Sequence, residues 1–450
     1  MAVTLARRIT DRPIVGVRRR AQVMEKFVIE GGVPLSGTMV PAGNKNGALP
    51  ILASSVLTED EVVVRNVPRI RDVEAMLQIL TAIGVDVSWR GPNEVALCAA
   101  HVHEVEIERE LAELIRASFL LAGPLLARFH RAVMPPPGGD VIGRRRLDPH
   151  LDAFRAMGAV VECGAEIVLD APRGLRPTDV FMDEPSVMAT ENALMAAALT
   201  PGTTVIGNAA CEPHVQDLCR FLCALGAQID GIETNVLRIQ GSDSLHGAEY
   251  TIGPDHIEIA SFIGLGAITA GEIVIENCRP TDLIAVMPAF RRLGIALQIE
   301  GTEIRVLDRQ DLVIEDDIGG VIPKIDDGPW PAFPADLTSI AVAVATQARG
   351  TVMIFEKMFE NRLFFVDKLV GLGARIILCD PHRVVVTGPA RLYGERMSSP
   401  DIRAGMAMLL AALCAEGTST IGNVREIDRG YERIDERLRA LGASIERVDG

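Results

Sequence analysis

The chain has 450 residues, enough for more than one domain, and 48% of them are hydrophobic while only 4% are aromatic. A formal net charge of -15 argues against nonspecific binding to nucleic acid or an anionic membrane, and the scarcity of aromatic residues argues against a base-stacking surface. Eight scattered cysteines form no disulfide framework and fit free thiols in a reducing cytosol, and no run approaches the ~20 apolar residues of a membrane span.

Residues 1–24 hold six arginines and one acid without a long apolar segment, which fits a mobile N-terminal extension and not a secretory signal. Lys26 to Val40 then reads as one strand, running up to Gly43-Asn44. Beyond it the chain repeats. A hydrophobic residue and a glycine close an amphipathic stretch six times, at Ile83-Gly84, Met157-Gly158, Leu225-Gly226, Leu293-Gly294, Leu372-Gly373 and Leu441-Gly442, at intervals of roughly 70 residues. Glycine in that place is a helix stop. The helices so ended read as Val73 to Ile83, His150 to Met157, Val215 to Leu225, Leu283 to Leu293, Phe364 to Leu372 and Ile434 to Leu441. Strand-like runs at 61–66, 203–208, 272–277 and 418–423 precede most of them.

A second helix recurs upstream in every unit: Asn46 to Leu57, Ala117 to Leu126, Asn192 to Leu199, Ile259 to Thr269, Leu337 to Thr346 and Arg403 to Ala415. These are apolar nearly all round, so they must be buried among other elements. Six α/β units suit two bodies of three. One is discontinuous, residues 25–44 with 254–450; the other is residues 45–253. Gly43-Asn44 and Gly253-Pro254 are the two crossings and the candidate hinges about which the bodies would close on a ligand.

The second body carries a loop from Pro135 to His150, Pro-Pro-Pro-Gly-Gly-Asp-Val-Ile-Gly-Arg-Arg-Arg-Leu-Asp-Pro-His. Prolines and glycines make it a loop, and its arginines suit phosphate or carboxylate. Gly138 and Gly143 have the separation of a nucleotide P-loop, but Arg144 and Arg145 stand where that motif needs Lys and then Ser or Thr. Cys211, His214, Cys219 and Cys223 raise a zinc question, for which small apolar side chains on a buried helix face are the simpler account.

Polar residues gather at the starts of the buried helices: Lys45 and Asn46, Arg116, Ser186 with Thr190, Glu191 and Asn192, Asp255 and His256, Asp336, and Asp401 with Arg403. Capping explains the Ser, Asp and Asn. It does not explain Lys45, Arg116 and Arg403, because a cation opposes the helix dipole there; an anion bound in a common cleft would relieve the conflict.

Segments 42–50 (Ala-Gly-Asn-Lys-Asn-Gly-Ala-Leu-Pro), 137–143 (Pro-Gly-Gly-Asp-Val-Ile-Gly), 333–336 (Phe-Pro-Ala-Asp) and 427–434 (Ile-Asp-Arg-Gly-Tyr-Glu-Arg-Ile) together resemble the UDP-N-acetylglucosamine enolpyruvyl transferase family, over nearly the whole chain from about Glu25. The resemblance implies a two-domain inside-out α/β barrel with buried helices. It also implies cytoplasmic transfer of the enolpyruvyl group of phosphoenolpyruvate to the sugar 3′-hydroxyl of UDP-N-acetylglucosamine, the first committed step of peptidoglycan synthesis. Phosphate leaves, and the route is addition and then elimination without metal or cofactor.

By this resemblance Lys45, Asn46, Arg116, Arg145, Arg403 and Arg429 bind phosphoenolpyruvate, with Lys45 and Arg145 also catalytic. Asp336 is the base near the sugar hydroxyl, and Asp140 is the proton donor. The sugar nucleotide meets Asn46, Arg116, Arg146, Leu147, Asp148, His150, Ser186, Asp336 and Met358, and Asp401 orients Lys45 or an arginine.

The family's usual residue at position 140 is cysteine. A free thiol is already protonated at neutral pH and a free carboxyl is not. Asp140 is therefore expected to act as an acid only in the closed, substrate-loaded site, with an acid-shifted pH–rate profile, and epoxides such as fosfomycin are expected not to inactivate the protein. Met188, Cys211, His256 and Trp330 also depart from the family's pattern around the acceptor. The rival readings are transfer to another nucleotide, transfer to shikimate 3-phosphate, and a catalytically silent nucleotide-sugar-binding protein.

Overall fold

The computed structural model describes residues 25–140 and 142–449, so the expectation for residues 1–24 lies outside the described residues. The six helices read as apolar all round are interior. Lys45–Ser54, Ala122–Phe129 and Val187–Ala198 sit in one hydrophobic core that runs from Ala48 to Ile252. His256–Ile268, Thr338–Ala345 and Ile402–Cys414 pack on one another in a second core, which takes in Phe27 to Met39 and residues 257–445. Among the described residues six sheets surround these helices, five of four strands and one of three.

The six glycines behave as the spacing predicts. Gly84, Gly158, Gly226, Gly294, Gly373 and Gly442 all have positive φ, between +86° and +108°, a region in which a side chain is strained. Each follows an amphipathic helix: Arg71–Ala82, Asp148–Ala156, Pro213–Ala224, Met287–Arg292, Val366–Gly371 and Ile434–Ala440. A second device also repeats. Asn66, Asn208, Asn277 and Asn423 end four equivalent strands in the left-handed region, with φ from +54° to +57°, where asparagine is tolerated better than most residues.

Three expectations need correcting. Lys26 to Val40 is not one strand. Lys26–Glu30 pairs antiparallel with Thr418–Gly422 and Ser444–Val448, whereas Gly37–Met39 pairs parallel with Ile273–Ile275 in another sheet. The chain turns between them at Gly32, whose φ is +80°, and Pro34. The second buried helix begins as a 3-10 turn, Arg116–Leu121, before the α-helix Ala122–Phe129. The fourth amphipathic helix is shorter than read, because Pro280 and Pro288 restart the chain as a 3-10 turn, Pro280–Leu283, and then Met287–Arg292.

The chain passes between the two cores twice, at neighbouring points. Gly43 and Pro254 form an isolated antiparallel bridge; the Asn44 N–H donates to Gly253 O at 2.8 Å, and the Asp255 N–H to Ala42 O at 2.9 Å. The two candidate hinge points therefore lie side by side.

Candidate active site

A cleft of about 260 Å³ lies between the two cores and is lined from both sides. Lys45, Asn46, Arg116, Asp140 and Arg145 come from one core, and Asp336, Met358, Arg403 and Arg429 from the other. Lys45, Arg403 and Arg429 are held by carboxylates. Lys45 Nζ is 2.8 Å from Asp72 Oδ2, and Arg429 Nε is 2.8 Å from Asp72 Oδ1, so one buried carboxylate joins cations of the two cores. Burial alone would raise the Asp72 pKa, but Lys45 and Arg429 hold it below its ordinary value. Arg429 also meets Glu426 at 2.8 Å and forms an ion pair with Asp140.

Arg116 and Arg145 are the cations in surplus. Among the described residues Arg116 donates to backbone oxygens, Arg145 O at 2.7 Å and Arg146 O at 3.3 Å, and neither it nor Arg145 forms an ion pair. Burial, and then Arg145, push the Arg116 pKa down to about 10; burial also lowers Arg145, with Asp140 opposing it. Two arginines that the protein leaves short of counter-charge favour an anionic ligand.

Asp336 has the opposite setting. Its Oδ1 accepts from Arg362 at 2.8 Å, and its Oδ2 from Arg403 at 2.9 and 3.1 Å. Burial would raise its pKa, yet Arg403 and Arg362 hold it well below the usual carboxylate range. Arg403 is in turn fixed by Tyr431 Oη at 3.3 Å.

The loop needs its glycines. A Cβ on Gly138 would fall 1.8 Å from Glu113 O, and one on Gly139, at φ +103°, 2.9 Å from the Arg116 Cβ. The loop reaches the other core at its tip. The Arg144 N–H donates to Glu360 Oε2 at 3.0 Å, and the Asn361 N–H to Ile142 O at 3.0 Å. Asp140 and Arg145 flank these contacts and are thereby delivered into the cleft.

A family model described as EPSP synthase (3-phosphoshikimate 1-carboxyvinyltransferase) matches residues 29–438. A UDP-N-acetylglucosamine 1-carboxyvinyltransferase of Bradyrhizobium diazoefficiens is 54% identical over 423 residues, covering 94% of this chain and 98% of its own. One of Treponema pallidum is 53% identical over 422 residues, covering 94% and 99%. The chain belongs to the UDP-N-acetylglucosamine 1-carboxyvinyltransferase family. Among solved structures, the enolpyruvyl transferase NikO from Streptomyces tendae matches with a TM-score of 0.84 at 24% identity, covering 95% of this chain and 100% of its own. An EPSP synthase from Acinetobacter baumannii matches at 0.72 and 17%, covering 94% and 100%. These two likenesses show the mixed α/β enolpyruvyl transferase fold.

Several residues expected around the sugar nucleotide do not line the cleft. Arg146 is engaged by Asp183 at 2.9 Å and Asp148 at 3.3 Å, and Leu147 packs on the core. Asp148 opens the helix Asp148–Ala156, and Ser186 caps Val187–Ala198 by accepting from the Ala189 N–H. His150 is buried, 2.9 Å from Asn192 Nδ2 and edge-on to Phe119; burial, and then Arg116, push its pKa down to about 3. Among the described residues Asp401 forms no ion pair with Lys45 or an arginine. It caps the helix Ile402–Cys414, accepting from the Arg403 and Ala404 N–H groups at 2.9 Å. The carboxylate that contacts both Lys45 and Arg429 is Asp72.

Asp72 and Arg362 are the residues that the sequence did not disclose. Asp72 is the second residue of an ordinary amphipathic helix, where an acid is unremarked. Met188, His256 and Trp330 do line the cleft, while the buried Cys211 lies behind it with Sγ 3.6 Å from Trp330 O. The zinc alternative gains nothing: Cys219 is in the core, and the His214 ring stacks on His256 at 6.2 Å.

Proposed function

We propose that this protein transfers the enolpyruvyl group of phosphoenolpyruvate to the 3′-hydroxyl of UDP-N-acetylglucosamine and releases phosphate, the first committed step of peptidoglycan synthesis. The observation that carries the reading is the convergence of Lys45, Arg145 and Arg429 with Asp140 and Asp336 in one cleft between two cores.

In this reading Lys45, Arg116, Arg145, Arg403 and Arg429 bind the phosphate and carboxylate of the donor, with Asn46 beside them. Asp140 delivers a proton to the methylene carbon. The sugar oxygen attacks the neighbouring carbon while Asp336 takes the hydroxyl proton, giving a tetrahedral phospho-ketal. Loss of a methyl proton and of phosphate restores the double bond. The catalysis is positioning and electrostatic preorganisation. The acceptor lies along Met188, Trp330 and Met358, with Arg146, Leu147, Asp148, His150 and Ser186 supporting that wall from outside the cleft. The two cores correspond to residues 45–253 and to 25–44 with 254–450, the two domains of an inside-out barrel, and the enzyme works in the cytoplasm.

Phosphate release from phosphoenolpyruvate tests this, with UDP-N-acetylglucosamine, shikimate 3-phosphate and UMP as parallel acceptors. Release with the first alone is the expected result. Release with another acceptor transfers the assignment to it. Calorimetric binding of the sugar nucleotide without turnover makes the protein a silent binder.

A further inference from the structure

Arg362 lines the cleft beside Asp336, and beyond it lies a buried polar group that the reaction scheme does not use. Arg362, which holds Asp336 Oδ1 at 2.8 Å, is itself only 5% exposed. Its Nε makes no hydrogen bond among the described residues, and Glu356 Oε2 stands 3.9 Å from it. Glu356 is 0% exposed and rigidly placed. Its backbone N–H donates to His382 O at 2.8 Å, His382 Nδ1 is 2.7 Å from its carbonyl oxygen, and its Oε1 accepts from the Phe359 N–H at 3.1 Å. Asp327 and Thr338 complete the surroundings of the Glu356 carboxyl. The other Asp327 oxygen, Oδ1, accepts from the Lys357 N–H.

Four buried atoms around this spot lack partners among the described residues: Arg362 Nε, Glu356 Oε2, Asp327 Oδ2 and Thr338 Oγ1. Donors and acceptors that converge in this way satisfy one another through a short shift or a single bridging water. An arginine buried this deeply needs a second anchor if its outer edge is to keep one orientation.

We propose that Glu356, backed by Asp327, is a positioning residue for the base: it fixes Arg362 from behind, and Arg362 fixes Asp336. This inference rests on the proposed reaction. Burial raises the Glu356 pKa, with Arg362 opposing and Asp327 reinforcing the rise, which favours the neutral carboxyl. The charged or titratable groups that face it are Arg362, Asp327 and, at its backbone, His382. Its ionisation on going alkaline places a negative charge beside Arg362 and weakens that arginine's hold on Asp336.

The test is a double-mutant cycle on the full chain with phosphoenolpyruvate and UDP-N-acetylglucosamine. Turnover by the wild-type protein is established first, because its absence overturns the reaction and not this inference. Glu356→Met is expected to lower kcat by about tenfold or more, while in an Asp336→Asn background the same change lowers the residual kcat by less than about twofold, since the route through Asp336 is already cut. Equal factors in both backgrounds, or a wild-type kcat in Glu356→Met, overturn the proposal. Glu356→Gln covers the case in which the methionine variant does not fold. It is expected to keep kcat within about threefold of wild type at pH 6.5, and to lose the change in kcat that this ionisation gives the wild type on going alkaline. A Gln variant whose pH profile superimposes on the wild type is the opposing result.

Discussion

At the scale of the residue, position 140 decides the reactivity of the site. A thiolate opens an epoxide readily, whereas a carboxylate already paired with Arg429 is a poor nucleophile. Fosfomycin should therefore leave the wild-type protein unlabelled and active, and Asp140→Cys should gain an adduct visible by mass spectrometry. Labelling at Asp140 itself overturns the expectation. Asp72 supports a second prediction. Asp72→Asn leaves Lys45 and Arg429 facing each other without the carboxylate that now lies 2.8 Å from each. Removing one partner of a buried ionic group costs about 3–5 kcal/mol, so kcat/KM for phosphoenolpyruvate should drop by roughly 100-fold or more with the fold retained. A fall of less than about threefold in steady-state assays would show that the two cations hold their places unaided.

At the scale of the element, what was legible was local. Helix and glycine placement depends on neighbours in sequence, and the six stops at Gly84, Gly158, Gly226, Gly294, Gly373 and Gly442 were read where they occur. Partners distant in sequence were not legible. Nothing in Lys26 to Val40 says that its halves join different sheets, and nothing in Asp72 says that Arg429 will meet it. His150 shows the same limit. The family resemblance implies a nucleotide contact there, but the helix turns its ring inward onto Asn192 and Phe119.

That burial has a consequence for stability. With a pKa near 3 in the folded protein and about 6.5 unfolded, His150 binds fewer protons folded than unfolded throughout that window. Its contribution to stability therefore falls as pH drops from about 6.5, by roughly 2 kcal/mol at pH 5. His150→Gln should be less stable than wild type at pH 8, and the gap should close or reverse at pH 5. Thermal unfolding at the two pH values measures it, and a gap independent of pH counts against a neutral buried imidazole.

At the scale of the whole molecule, glycine and proline mark in the sequence the two points that meet in the Gly43–Pro254 bridge, but the means by which the two halves hold together is not legible there. The contacts across the gap are polar: Asp72 with Arg429, Glu432 Oε2 with the Arg69 N–H at 2.9 Å and Asn93 Nδ2 at 3.1 Å, and the loop tip with Glu360 and Asn361. Polar contacts of this kind can be exchanged for water at small cost, which fits the proposed closure of the halves on a ligand. The loop carries its own reporter, since Arg144, Arg145 and Arg146 are three consecutive trypsin sites beside the Glu360 contact. Glu360→Ala removes the acceptor of the Arg144 N–H while touching no residue of the cleft cations. Tryptic cleavage between 144 and 146 should then be faster by roughly threefold to tenfold, the range expected for one lost hydrogen bond. Phosphoenolpyruvate with UDP-N-acetylglucosamine should slow cleavage of the wild type more than either alone, because both halves must meet the ligands. Equal cleavage rates in wild type and Glu360→Ala, with and without ligands, would mean that the loop does not move with the halves.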